Sequence, residues 1–114
     1  MKTVSILGST GSIGKNTLDV LSSLKGFKVV ALASHSDIKT LIGQVYRHKP
    51  RCISVFDEIK NKEIRNLVPS GVKVFPPGIE GLVEMIRYIS SDITVNSLSG
   101  SIGLIPLIAA VKSS

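Results

Sequence analysis

The sequence predicts an α/β fold, a doubly wound parallel sheet with helices on its faces. Two observations carry that prediction. Short apolar runs rich in β-formers alternate along the chain with longer stretches of helical period, and a glycine-rich turn sits between the first run and the first helical stretch. Parallel strands need such crossover connections, and right-handed ones are the default. No internal repeat, low-complexity tract or flexible linker interrupts the alternation, so one domain over residues 1–114 is expected.

The elements follow in order. The first strand spans residues 2–7. After the glycine turn, Ile13, Leu18, Leu21 and Leu24 recur at helical spacing, and Gly26 supplies a stop. Residues 27–33 form the second strand; Asp37 then caps a helix with Ile38, Leu41, Ile42 and Val45 on one face, and Pro50 blocks its continuation. Residues 51–56 read as the third strand. Asp57 caps a polar helix, expected to be the most exposed one, that runs to about Val68 before Pro69 and Gly71. Residues 72–75 make a short fourth strand and Pro76-Pro77-Gly78 a turn. Residues 79–89 form a helix with Leu82, Met85, Ile86 and Ile89 inward, and residues 92–98 the fifth strand. A second glycine turn from Ser99 to Gly103 leads into a last helix with Pro106 in its first turn. The strand order common to such sheets, 3-2-1-4-5-6, would leave the fifth strand at an edge, whose unpaired groups should recruit another chain.

Composition narrows the function classes. Hydrophobic residues make up 43% and aromatics 4%, so the core must be aliphatic. A net charge of +6 favours an anionic partner. The basic residues are scattered and no aromatic stripe accompanies them, which makes nucleic acid the weaker choice and a phosphorylated small molecule the stronger. Cys52 is the sole cysteine; it lies in an apolar run and reads as a small core residue rather than a reactive thiol, in a reducing compartment. The apolar run after Lys2 is too short for a signal peptide, and residues 93–111 are interrupted too often to span a bilayer, so a cytoplasmic protein without membrane contact is expected.

The chemistry concentrates in Gly8-Ser9-Thr10-Gly11-Ser12-Ile13-Gly14, between the first strand and the first helix. A backbone turning sharply from strand to helix needs glycine where φ is positive, a pyrophosphate needs close approach to bare main chain, and a helix packed on its strand needs a small residue. Gly8, Gly11 and Gly14 can fill these roles, while Thr10 and Ser12 offer hydroxyls and Lys15 or Asn16 can assist. The spacing is G-x-x-G-x-x-G rather than G-x-G-x-x-G, but its place in the fold is that of a Rossmann-like dinucleotide-binding domain.

An NAD-preferring domain usually carries an acid at the end of its second strand to hold the ribose 2′-OH. Here Ser34, His35 and Ser36 stand in that place without a carboxylate, which favours NADPH over NADH; Asp37 reads mainly as a helix cap. His35 has two readings, a surface histidine or a phosphate contact. Ser97, Leu98, Ser99 and Gly100, at the carboxyl end of the fifth strand, also have two: lining the cofactor's ribose or nicotinamide, or ordinary turn chemistry. No nucleophile, base and acid set, paired carboxylates or metal cluster can be assembled, so the chain is expected to bind without catalysing.

These residues carry a resemblance. Residues 6–14, followed by Thr17-Leu18-Asp19-Val20, are similar to the opening of the 1-deoxy-D-xylulose 5-phosphate reductoisomerase family, NADPH enzymes of non-mevalonate isoprenoid biosynthesis. Val30-Ala31-Leu32, Gln44 with Pro50, Gly78 with Glu80-Gly81-Leu82, and Gly100 with Gly103-Leu104 and Pro106 match later marks. The resemblance implies that Thr10, Gly11, Ser12 and Ile13 contact the pyrophosphate and ribose, and that His35-Ser36-Asp37 occupy the adenosine-phosphate segment, where many members have Gly, a basic residue and Asn. Leu107 stands where members usually have Thr. The resemblance further implies an N-terminal fragment, inactive alone: the Ala-Asn-Lys-Glu-Ser segment, and the acids that hold Mg²⁺ or Mn²⁺ beside the sugar-phosphate substrate, would lie beyond Ser114, in a homodimeric enzyme. A stand-alone NAD(P)-sensing module and a basic nucleic-acid-binding domain are the alternatives.

Overall fold

The computed structural model describes residues 1–98. The expected last helix, with Ser99 and Gly100, lies outside them. Among the described residues five strands alternate with four helices: β1 (Lys2–Leu7), α1 (Ser12–Ser23), β2 (Phe27–Ser34), α2 (Ile38–His48), β3 (Cys52–Val55), α3 (Glu58–Arg65), β4 (Lys73–Val74), α4 (Gly78–Ile89) and β5 (Ile93–Asn96). All pair in parallel, in the order β4-β3-β2-β1-β5.

Strand residues alternate between two cores, as a period of two requires. Val4, Ile6, Leu32, Ile53 and Val55 pack under Leu18 of α1, Leu41 and Val45 of α2 and Ile64 of α3. On the opposite face Leu7, Ala31, Ala33 and Cys52 meet Leu82, Met85 and Ile86 of α4. Burial pushes the Cys52 thiol up to about 11, which fits a core residue with little thiolate at neutral pH. Asp37 and Asp57 cap α2 and α3 as expected, accepting from the N–H of Thr40 and Lys60. The two ends of the described chain are also tied: the Asp92 carboxylate accepts from the Thr3 N–H (2.8 Å) and hydroxyl (3.1 Å), while Asp92 N–H donates to Thr3 Oγ1 (2.9 Å).

The structure corrects several expectations. The order is not 3-2-1-4-5, because β4 is a two-residue strand that pairs beyond β3, at Cys52↔Lys73 and Ile53↔Val74. The short α3 carries the chain only to the neighbouring edge; α4, a full 12 residues, brings it back across the other face to the free side of β1, where β5 pairs at Val4↔Ile93 through Leu7↔Asn96. Among the described residues β5 is an edge, as expected, but beside β1 rather than β4. Outer strands are shorter than the apolar runs suggest, β2 continues to Ser34, and α3 stops at Arg65, where the Leu67 N–H bonds back to Ile64 O in a tighter turn. Nor is α3 distinctly the most exposed helix: α1 buries only Gly14 and Leu18 and turns Ile13 and Val20 outward.

Candidate functional site

The winding reverses between β1 and β5, since α1 leaves β1 over one face of the sheet and α4 reaches β5 over the other. The carboxyl ends of those strands therefore border a crevice, the place where open α/β sheets hold ligands. The glycine loop fills its rim. Gly8 turns the chain out of β1 with φ +87°, and its N–H and that of Ser9 both donate to Ala33 O at 2.8 and 2.9 Å. A Cβ on Gly8 would stand 2.8 Å from Ser97 Oγ, and one on Gly14 would meet Gly8 O and lie 2.6 Å from Ser9 Cα. Gly8 is thus required by backbone angle and packing, and Gly14 by packing of the first helical turn beneath the loop.

Gly11 answers to neither constraint. Its φ of −80° and ψ of 174° suit any residue, and a Cβ there would touch only Gly8 O at an ordinary 3.7 Å. It is exposed, and it immediately precedes α1, which has neither a side-chain cap nor an acidic residue in its first turn. The N–H groups of Ser12, Ile13 and Gly14 consequently have no intrahelical acceptor and face the rim with the positive end of the helix dipole. An anion is what such an end accommodates.

The remaining expected residues divide into those at the rim and those turned inward. Ser34, the last residue of β2, is buried, and its hydroxyl lies 2.8 Å from Thr10 Oγ1, joining the glycine loop to the second strand. Ser97 is likewise engaged: its hydroxyl donates to Leu7 O (2.9 Å) and Gly8 O (3.0 Å), which pins β5 to the loop. Leu98 packs on the α4-side core. Ile13 stays at the surface, 66% exposed, beside the free amides.

His35, Ser36 and Asp37 form an exposed turn at the end of β2. His35 stacks on Phe56, ring centroids 5.1 Å apart and 22° from parallel, which makes a flat aromatic surface over the ends of β2 and β3. The Asp37 carboxyl is held below the usual carboxylate range by the Thr40 N–H first, then by the Thr40 hydroxyl, with Lys15 and Lys39 adding cationic charge. Its role as cap is therefore visible in the bonds it makes, and two lysines offset its charge. Sequence reasoning missed Phe56, whose run gave no sign that its ring would meet His35. It also passed over Gln44, quoted only for resemblance, whose Nε2 donates to Ser9 O at 2.8 Å.

Among the described residues no group of three or more His, Cys, Asp and Glu could hold a metal ion, and no helix is long and apolar enough to cross a membrane.

Comparison with known proteins places this architecture. Residues 4–114 match the family described as 1-deoxy-D-xylulose 5-phosphate reductoisomerase. The reductoisomerase of Elusimicrobium minutum is 37% identical over 114 residues, and that of Protochlamydia amoebophila 41% over 114 residues; in both, 99% of this chain aligns with 29% of the relative. The solved structure of the Zymomonas mobilis reductoisomerase in complex with NADPH superposes with a TM-score of 0.89 at 29% identity, over 98% of this chain and 30% of that one. A magnesium complex described as DOX-P reductoisomerase, 24% identical and covering 29% of that chain, shares the fold with a TM-score of 0.83. The chain thus spans under a third of the length of the relatives it matches, and it belongs to the 1-deoxy-D-xylulose 5-phosphate reductoisomerase family.

Proposed function

We propose that this chain is the NADPH-binding domain of an enzyme that isomerises and reduces 1-deoxy-D-xylulose 5-phosphate to 2-C-methyl-D-erythritol 4-phosphate. The observation that carries the proposal is Gly11: a glycine kept where neither backbone angle nor packing asks for one, on an exposed rim beside three free helix amides. A ligand that must touch bare main chain accounts for it, and a pyrophosphate is such a ligand. The family match and the NADPH named for the Z. mobilis relative support the same reading.

In this reading Gly8, Thr10, Gly11, Ser12, Ile13 and Gly14 cradle the pyrophosphate and its ribose. Ser34 and Ser97 act from behind, through their bonds to Thr10 and Gly8. His35, Ser36 and Asp37 border the adenosine 2′-phosphate, where Lys15 and Lys39 supply positive charge and the Asp37 carboxylate is engaged as the cap of α2. Leu98, Ser99 and Gly100 lead toward the nicotinamide. When bound, NADPH supplies the hydride; the described residues bind and orient it. The sugar phosphate, and the Mg²⁺ or Mn²⁺ that polarises it, would be held by the rest of a cytoplasmic homodimer.

Calorimetric titration of the chain with NADPH and NADH tests the proposal, with tighter NADPH binding expected. Gly11→Val is the decisive variant. Valine suits the extended backbone at this position, so the fold should hold, while its side chain blocks the pyrophosphate. Losing two charge-assisted hydrogen bonds should weaken binding by roughly 100-fold or more. Unchanged NADPH affinity in Gly11→Val would remove the loop as the phosphate site.

A further inference from the structure

Gln44 lies in α2, 35 residues beyond Ser9 in sequence, yet its side chain reaches into the glycine loop. Nε2 donates to Ser9 O at 2.8 Å, while Oε1 is buried with no hydrogen-bond partner among the described residues. The amide satisfies the buried Ser9 carbonyl but leaves its own Oε1 unpaired, so its net contribution to stability is small. Fold stability alone therefore does not explain an amide here.

The geometry of the peptide it holds does. Ser9 O and Thr10 N–H belong to one trans peptide and point in opposite directions. Gln44 draws the carbonyl toward α2, which turns the Thr10 N–H away from α2. That N–H has no acceptor among the described residues, in a loop where the neighbouring amides of Gly8, Ser9 and Gly11 all have one. We propose that Gln44 is a positioning residue for the phosphate site: by pinning the Ser9 carbonyl it sets the Thr10 N–H as a donor to a phosphate oxygen, beside the amides of the first turn of α1. Thr10 has a second restraint, its hydroxyl against Ser34, so the peptide is held from both sides before any ligand arrives. A donor fixed in advance needs no ordering on binding.

This inference rests on the NADPH reading above, and its test separates the two. The full chain, Gln44→Met and Gln44→Leu are compared for thermal midpoint, for NADPH affinity by calorimetry and for the Thr10 amide resonance by NMR without ligand. The expected result is a midpoint slightly below that of the parent, because the buried Ser9 carbonyl loses its donor, NADPH affinity about tenfold weaker, as for one charge-assisted hydrogen bond lost, and a displaced Thr10 resonance with those of Val4 and Ile6 unmoved. Equal affinity, or an affinity loss that comes with displaced Val4 and Ile6 resonances, overturns the positioning role. If the parent itself does not bind NADPH, the cofactor reading fails instead. The ligand-free resonance then decides the placement of the Thr10 N–H by itself, and an unmoved resonance rejects it.

Discussion

Gly14 and Gly11 sit one helical turn apart under different constraints, and that difference can be measured. A methyl group at Gly14 would press on the Gly8 carbonyl and the Ser9 backbone, neither of which can swing aside like a flexible side chain. Gly14→Ala should cost about 1–3 kcal/mol, as overpacking does. Gly11→Ala should be neutral or slightly stabilising, because alanine narrows the unfolded ensemble at an angle it readily adopts. Denaturant titration of both variants checks this; equal losses would mean that the loop is not packed as described. The roles of Gly8 and Gly14 were legible in the sequence because both follow from a strand turning directly into a helix. The hydroxyl directions were not. Ser34 finds Thr10 and Ser97 finds Gly8 only across strand pairings that bring residues 24 and 89 positions apart into contact.

Helices and strands differ in how fully apolar spacing revealed them. The buried stripes of α2 and α4 were read from apolar spacing, α3 came from its cap, and of the spacing read for α1 Ile13 and Leu24 turn out exposed; the caps at Asp37 and Asp57 were readable as side chains that accept from the third N–H beyond them. Strand ends were not, since pairing partners rather than apolar runs decide where β3, β4 and β5 stop. The buried polar residue of α3 was equally hidden. Asn61 donates to Val55 O and to Phe75 O, both at 2.9 Å, and accepts from Arg65 Nε at 3.1 Å, so it fastens α3 to the ends of β3 and β4. Asn61→Ala removes that donor from the Val55 carbonyl and leaves Phe75 O with only Arg65 Nη2 at 3.4 Å as its side-chain donor. A loss on the order of 2–3 kcal/mol is expected, read as a lower denaturation midpoint, and a loss below the measurement error would show that water replaces the amide.

At the scale of the molecule, the sheet is centred on β2, with β1, β2 and β3 paired on both sides, while β4 and β5 have one described neighbour each. Amide exchange should be slowest in β1 and β2 and fastest in β4 and β5. Protection at Ile93–Asn96 equal to that of β1 would mean that β5 is covered. The doubly wound class was legible from the alternation of runs, but the place of β4 was not, because a two-residue strand leaves no periodic mark. One contact also has a consequence for how the protein is made. The interior strand β1 meets its second partner only through residues 89 positions later, where Asp92 clasps Thr3. At a synthesis rate of roughly 5–20 residues per second, β1 would emerge from the ribosome some 4–18 s ahead of the strand that completes it. For that interval the nascent chain carries an interior strand with one side open, and chaperones that bind exposed β-edges would find it there.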